Sequence, residues 1–139
     1  MTSGSGTLEH TADLGLWVEA GGLEELFETA PAALAELMVR GPRQGEVAWL
    51  PLSLQGRDYA ELLVQLLGEV VFLWDAEGLL VVGAKVVRLE PGALEARLGV
   101  IPADPERHRP GEPVKAVTYH QARVERRGPG WRAEVILDV

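Results

Sequence analysis

The chain has 139 residues, 47% of them hydrophobic and 24% charged, with a formal net charge of −8 and no cysteine. That length supports one hydrophobic core and is short for two, so 1–139 is read as a single domain. The missing cysteines exclude disulfides, thiolate metal sites and cysteine nucleophiles. The acidic balance disfavours a broad sequence-independent nucleic-acid surface, which needs clustered Lys and Arg, and suits a protein that meets cations or a basic partner surface.

Met1 to Gly6 is small and polar, without the basic and apolar regions of a signal peptide. No apolar run reaches the ~20 residues of a membrane span. A cytoplasmic protein with no membrane partner is therefore expected. Leu14 to Ala20 alternates and predicts a strand, broken by Gly21-Gly22. From Leu23, apolar residues at Leu26, Phe27, Ala30, Leu34, Leu37 and Met38 make a helical stripe. Pro31 lies inside it, which predicts a kink or two shorter helices. Val47 to Leu54 reads as a strand that Pro51 demotes toward an edge or bulge.

Asp58, with Glu61 three residues on, marks the start of a long helix whose apolar face is Leu62, Leu63, Leu66, Leu67, Val70, Val71 and Trp74; Gly78 closes it. Leu79 to Leu89 and Leu94 to Ile101 read as strands around the turn Glu90-Pro91-Gly92. Pro102 to Pro113 reads as a polar loop, its Arg107, His108 and Arg109 as solvated surface. Val114 to Arg127 and Trp131 to Val139 form a hairpin about Gly128-Pro129-Gly130. The expected fold is α+β: a mostly antiparallel sheet of about six strands with two main helices packed on one face.

Chemistry-bearing motifs are sparse, with no nucleophile elbow, phosphate loop, zinc spacing or dinucleotide glycine motif. Two polar places stand out. Leu8-Glu9-His10-Thr11-Ala12-Asp13 offers carboxylate and imidazole ligands just before a strand, although Thr11 and Asp13 equally suit a turn. At the other end, the last strand alternates so that Arg132, Glu134, Ile136 and Asp138 share a face. There Asp138 lies beside the final carboxylate, and two anionic groups at an ordered strand end call for a cation between them. A turn centred on Gly128-Pro129 pairs Asp138 with Tyr119, and one more loop residue pairs it with His120. Lys115, one of two lysines against eleven arginines, lies further along that strand.

These blocks carry a family resemblance. Leu8-Glu9-His10-Thr11-Ala12-Asp13, Val114-Lys115-Ala116-Val117-Thr118-Tyr119-His120 and Trp131 to Val139 together resemble the archease family. Leu23-Glu24-Glu25-Leu26-Phe27, the segment Phe72 to Leu79 and the Asp104 to His108 stretch fit the same pattern. Trp49 and Gln65-Leu66-Leu67-Gly68 depart from it, the family's long helix often carrying more aromatic and polar residues. The resemblance implies an α+β fold and a non-enzymatic accessory protein acting with a GTP- and Mn-dependent tRNA-splicing RNA ligase. Such a protein would promote ligase guanylylation and multiple turnover in tRNA splicing or RNA repair, meeting RNA only through the ligase. It also implies a divalent metal (Ca, Mg or Mn) held by Asp13 and Asp138, with a main-chain or terminal oxygen of Val139. His10, Lys115 and His120 would be supporting or partner-facing, and no residue of this chain catalytic. The competing readings are a metal-dependent hydrolase or transferase using Asp13, Asp138 and His120, and a chaperone-like adaptor that uses its acidic surface without metal.

Overall fold

The computed structural model describes residues 3–9 and 13–139. In chain order the elements are β1 (Gly4–Glu9), β2 (Leu14–Ala20), α1 (Leu23–Met38), β3 (Val39–Arg40), β4 (Ala48–Gln55), α2 (Tyr59–Glu77), β5 (Leu79–Glu90), β6 (Ala93–Pro102), β7 (Arg109–Pro110), β8 (Ala116–Arg127) and β9 (Gly130–Asp138). The α+β class and the two helices are as expected. The strands number more than six and divide among three antiparallel sheets, ordered β1-β2-β9-β8, β4-β6-β5 and the short pair β3-β7. Among the described residues no helix is long and apolar enough to cross a membrane.

Strand alternation supplies the inner faces. Leu16, Val18 and Ala20 of β2, Ala133, Val135 and Leu137 of β9, and Leu94, Ala96, Leu98 and Val100 of β6 are all buried. They meet the apolar stripes of α1 and α2, which pack on each other and on strands of both larger sheets. The helix expected to kink or split at Pro31 runs unbroken from Leu23 to Met38. An interior proline costs ~3 kcal/mol. Full burial of Leu26, Phe27 and Leu34 around it, at ~1.5–3 kcal/mol each, outweighs that. Pro51 does lie on an edge strand, β4. Asp58 caps α2 by accepting the Glu61 N–H at 2.8 Å, and Gly78 ends it at φ 64.

Two further features differ from the sequence expectation. Gly4–Glu9, for which the sequence predicts no element, is an edge strand paired with β2. Gly6 faces the Trp17 ring so closely that a Cβ there would stand 2.5 Å from the indole nitrogen. The 102–113 segment is also more than a solvated loop. His108 is buried, its Nδ1 accepts the Asp104 N–H at 2.9 Å, and its Nε2 lies 2.8 Å from the Pro42 carbonyl. An Nδ1 that accepts leaves the proton on Nε2, so the ring donates to Pro42 and ties the two loops together.

Candidate functional site

The register of β2 against β9 decides where the opening and closing segments go. Their ladder runs from Ala20↔Trp131 to Leu14↔Leu137. The next residues outward along the two strands are Asp13 and Asp138. Asp138 is exposed, and Asp13 and Val139 are partly buried. Alternation along β9 puts Asp138 on the outer side with Glu134 and Ile136, since Val135 and Leu137 turn into the core. On its other flank Asp138 is the ladder partner of Ala116, and its carbonyl accepts the Lys115 N–H at 2.7 Å. The backbone of Asp138 is thus held from the β8 side, one residue beyond the end of the β2 ladder.

The expected pairing of Asp138 with Tyr119 or His120 is not found. Near the turn the register is the projected one, from Arg127↔Gly130 to Arg123↔Glu134. Then the four residues Tyr119 to Ala122 stand opposite Val135 alone, before pairing resumes at Thr118↔Ile136. Three extra residues in β8 shift the partner of Asp138 from Tyr119 to Ala116. Gln121 takes φ 60 to close this bulge, and the His120 N–H donates to Thr118 Oγ1 at 3.1 Å.

Tyr119 swings away to the start of α2, where its hydroxyl donates to Asp58 Oδ2 at 2.6 Å. The Arg57 guanidinium lies 4.9 Å from the Tyr119 ring centroid and pairs with Glu61 at 2.9 Å. The Tyr119 hydroxyl, then the Glu61 N–H, hold the Asp58 carboxyl below its usual range. The same bond to Asp58 pushes the Tyr119 hydroxyl above the ordinary phenol value.

Of the residues picked out in the sequence, Asp13, Asp138, Val139 and the Lys115 backbone thus fall around one strand end. His120 sits on the bulge, and His10 lies outside the described residues. Among the described residues, no three or more His, Asp or Glu side chains gather as a metal cage. The available donors are two carboxylates and main-chain oxygen. That hard set suits Ca²⁺, Mg²⁺ or Mn²⁺, and its small size suits an ion that keeps waters or other ligands.

Two helices packed against antiparallel sheets, with acidic residues from the first and last core strands at one ladder end, define a small α+β protein with a polar site at its paired strand ends. The sequence from residue 6 to residue 139 matches the model of the Archease protein family (MTH1598/TM1083). The protein archease of Pyrococcus furiosus is 35% identical over 136 residues, covering 94% of this chain and 95% of that protein. The protein archease of Methanopyrus kandleri is 34% identical over 135 residues, covering 95% and 96%. The solution structure of Methanobacterium thermoautotrophicum protein 1598 superposes with a TM-score of 0.76 at 28% identity, covering 98% of this chain and 99% of that one. A crystal structure of a Thermotoga maritima archease, described as a possible chaperone, shares the fold with a TM-score of 0.61 at 20% identity, covering 95% of this chain and 94% of that one. The chain belongs to the archease family.

Proposed function

We propose that this protein is a non-enzymatic activator of a GTP-dependent tRNA-splicing RNA ligase, promoting its guanylylation and multiple turnover through a divalent cation held by Asp13 and Asp138. The observation that carries this reading is the β2–β9 register, which ends one residue short of that pair. Opposed positions on neighbouring antiparallel strands have Cβ atoms roughly 4.5–5.5 Å apart, and like charges there are destabilising. A cation between them turns that repulsion into attraction.

Asp13 and Asp138 would supply the carboxylates and Val139 a main-chain oxygen. The Lys115 N–H holds the Asp138 backbone at the required place, while the Lys115, His10 and His120 side chains would face the partner. When bound, the cation supplies positive charge beside a triphosphate, and nucleotidyl transfer depends chiefly on such charge and on positioning. Bond making stays with the ligase.

Asp138→Asn tests this. The variant keeps the strand and removes the charge. Ligase guanylylation in its presence is expected to fall on the order of 10- to 100-fold, the scale of perturbing a metal's ligand shell. Full stimulation by the folded variant would refute the proposal. The adaptor reading draws on the possible-chaperone description of the Thermotoga maritima protein and on the exposure of Trp49, Phe72 and Tyr119. It requires stimulation to survive with no metal bound, so metal analysis of wild type and Asp13→Ala separates the two.

A further inference from the structure

A groove of about 390 Å³ runs between α2 and the start of β8, lined by Gly68, Val71, Phe72 and Asp75 on one side and Lys115 and Val117 on the other. Gly68, Val71, Phe72 and Asp75 are spaced at i, i+3, i+4 and i+7, one stripe of the helix. Phe72 is 51% exposed although it sits on the longest helix of the fold. One exposed phenylalanine would mean little by itself. Gly68 adds a second observation. A glycine inside a helix is unfavourable, and here packing does not require it, because a Cβ built at Gly68 meets nothing within 4 Å. The missing side chain leaves a notch one turn before Phe72.

The opposite wall is a sheet edge. β8 is the terminal strand of the order β1-β2-β9-β8, and among the described residues Ala116 to Thr118 make no backbone bond on the side away from β9. Both edges of the other large sheet, β4 and β5, carry Pro51 and register shifts at Val82 and Val87 respectively, devices that discourage strand addition. The Ala116–Thr118 run lies between Lys115 and the bulge, so it has room for a short added strand. An edge strand beside an apolar helix face is the arrangement that binds extended peptides by strand addition, main chain to main chain, with alternate side chains entering the groove.

Resting on the function proposed above, we infer that an extended segment of the partner ligase adds to the free edge of β8 at Ala116–Thr118, with an apolar side chain in the Gly68–Phe72 notch and a basic residue beside Asp75. The occupant follows from three features. Unpaired backbone groups are satisfied by an extended chain, the notch accepts an apolar group, and Asp75 on a chain of net charge −8 favours a cation. The edge run adjoins the strand that carries Asp138, because Ala116 is the ladder partner of Asp138. A segment seated here brings the ligase up to the candidate metal.

Gly68→Leu is the discriminating variant, since filling the notch also improves the helix. Measured with purified ligase and the full chain, its Tm is expected to rise while its affinity for the ligase falls about tenfold or more. Phe72→Ser, at an exposed position, should weaken binding likewise. Amide exchange at residues 116–118 should slow when ligase is added to wild type or to Asp138→Asn. Unchanged affinity of Gly68→Leu, or unchanged exchange at 116–118 in the complex, overturns the inference. So does protection that appears without ligase as protein concentration rises, which would assign the edge to a second copy of the chain. If wild type neither binds nor stimulates the ligase, both this inference and the proposed function fall. If Asp138→Asn stimulates fully while Gly68→Leu does not bind, only the metal role falls.

Discussion

Asp58 serves two partners with two oxygens. Oδ1 caps α2 and Oδ2 takes the Tyr119 hydroxyl. The second bond pins the bulge that resets β8, and so helps decide which residue faces Asp138. Because the Asp58 carboxyl is held below its ordinary pKa, its contribution to stability is fully present above the unfolded carboxylate value, about 3.9, and is lost as the pH falls below it. Tyr119 is raised instead, so its share is present below the unfolded phenol value, about 10, and is lost as the pH rises beyond it. Tyr119→Phe should therefore lower Tm modestly at neutral pH, and the gap to wild type should narrow as the pH falls below about 3.9. A gap independent of pH would show that the hydroxyl does not bond an ionised carboxylate. The cap was legible from the Asp58–Glu61 spacing. Its second partner was not, because Tyr119 lies 61 residues away and reaches Asp58 only through a bulge with no glycine or proline to announce it. His108 escaped notice for a similar reason: flanked by two arginines it reads as surface, and only the return of the chain past Pro42 buries it.

Helix ends show how loops are recruited as structure. The last turn of α1 has no basic residue, but Arg43 reaches back to donate to the carbonyls of Ala35 (3.0 Å), Val39 (2.6 Å) and Gly41 (2.9 Å). A guanidinium on these carbonyls ties the turn after α1 to its last turn and complements the negative end of its dipole. The Gly111 N–H donates to Met38 and the Glu112 N–H to Leu37, at 2.7 and 2.9 Å. A Cβ at Gly111 would stand 2.3 Å from the Leu37 oxygen, so only glycine fits. Arg43→Ala is expected to cost about 1–2 kcal/mol in chemical denaturation, the scale of losing charge-assisted bonds partly replaced by water. No change in the midpoint would show that solvent caps the helix equally well. Element types and most boundaries could be read from periodicity and from the Gly and Pro turn signals. The β1 strand could not, since its Gly, Ser and Thr residues carry little hydrophobic pattern and its partner, the Trp17 ring, lies across the ladder.

At the scale of the whole molecule, the function proposed above has the net charge of −8 and the acidic residues at the ends of β2 and β9 draw a divalent cation. Mg²⁺ or Mn²⁺ at 100 times its dissociation constant should stabilise wild type by about 2.7 kcal/mol, seen as a rise in Tm. Asp13→Ala should lose that rise, whereas equal shifts in both proteins would mean general charge screening. The α+β class was legible from the order of helices and strands, and the candidate ligands from motifs at the two ends. Strand order was not, because nothing local in β2 or β9 announces that they are neighbours. That adjacency reaches beyond the site. β9, which follows β1 to β8 in chain order, lies between β2 and β8 in the middle of its sheet. During vectorial synthesis, β1 and β2 can meet early, but β8 has no neighbour until residues 130–138 emerge. The facing edges of both strands stay unpaired until then, so a nascent chain stalled before Trp131 should be a substrate for holdases, and this sheet should close only once residues 130–138 have emerged.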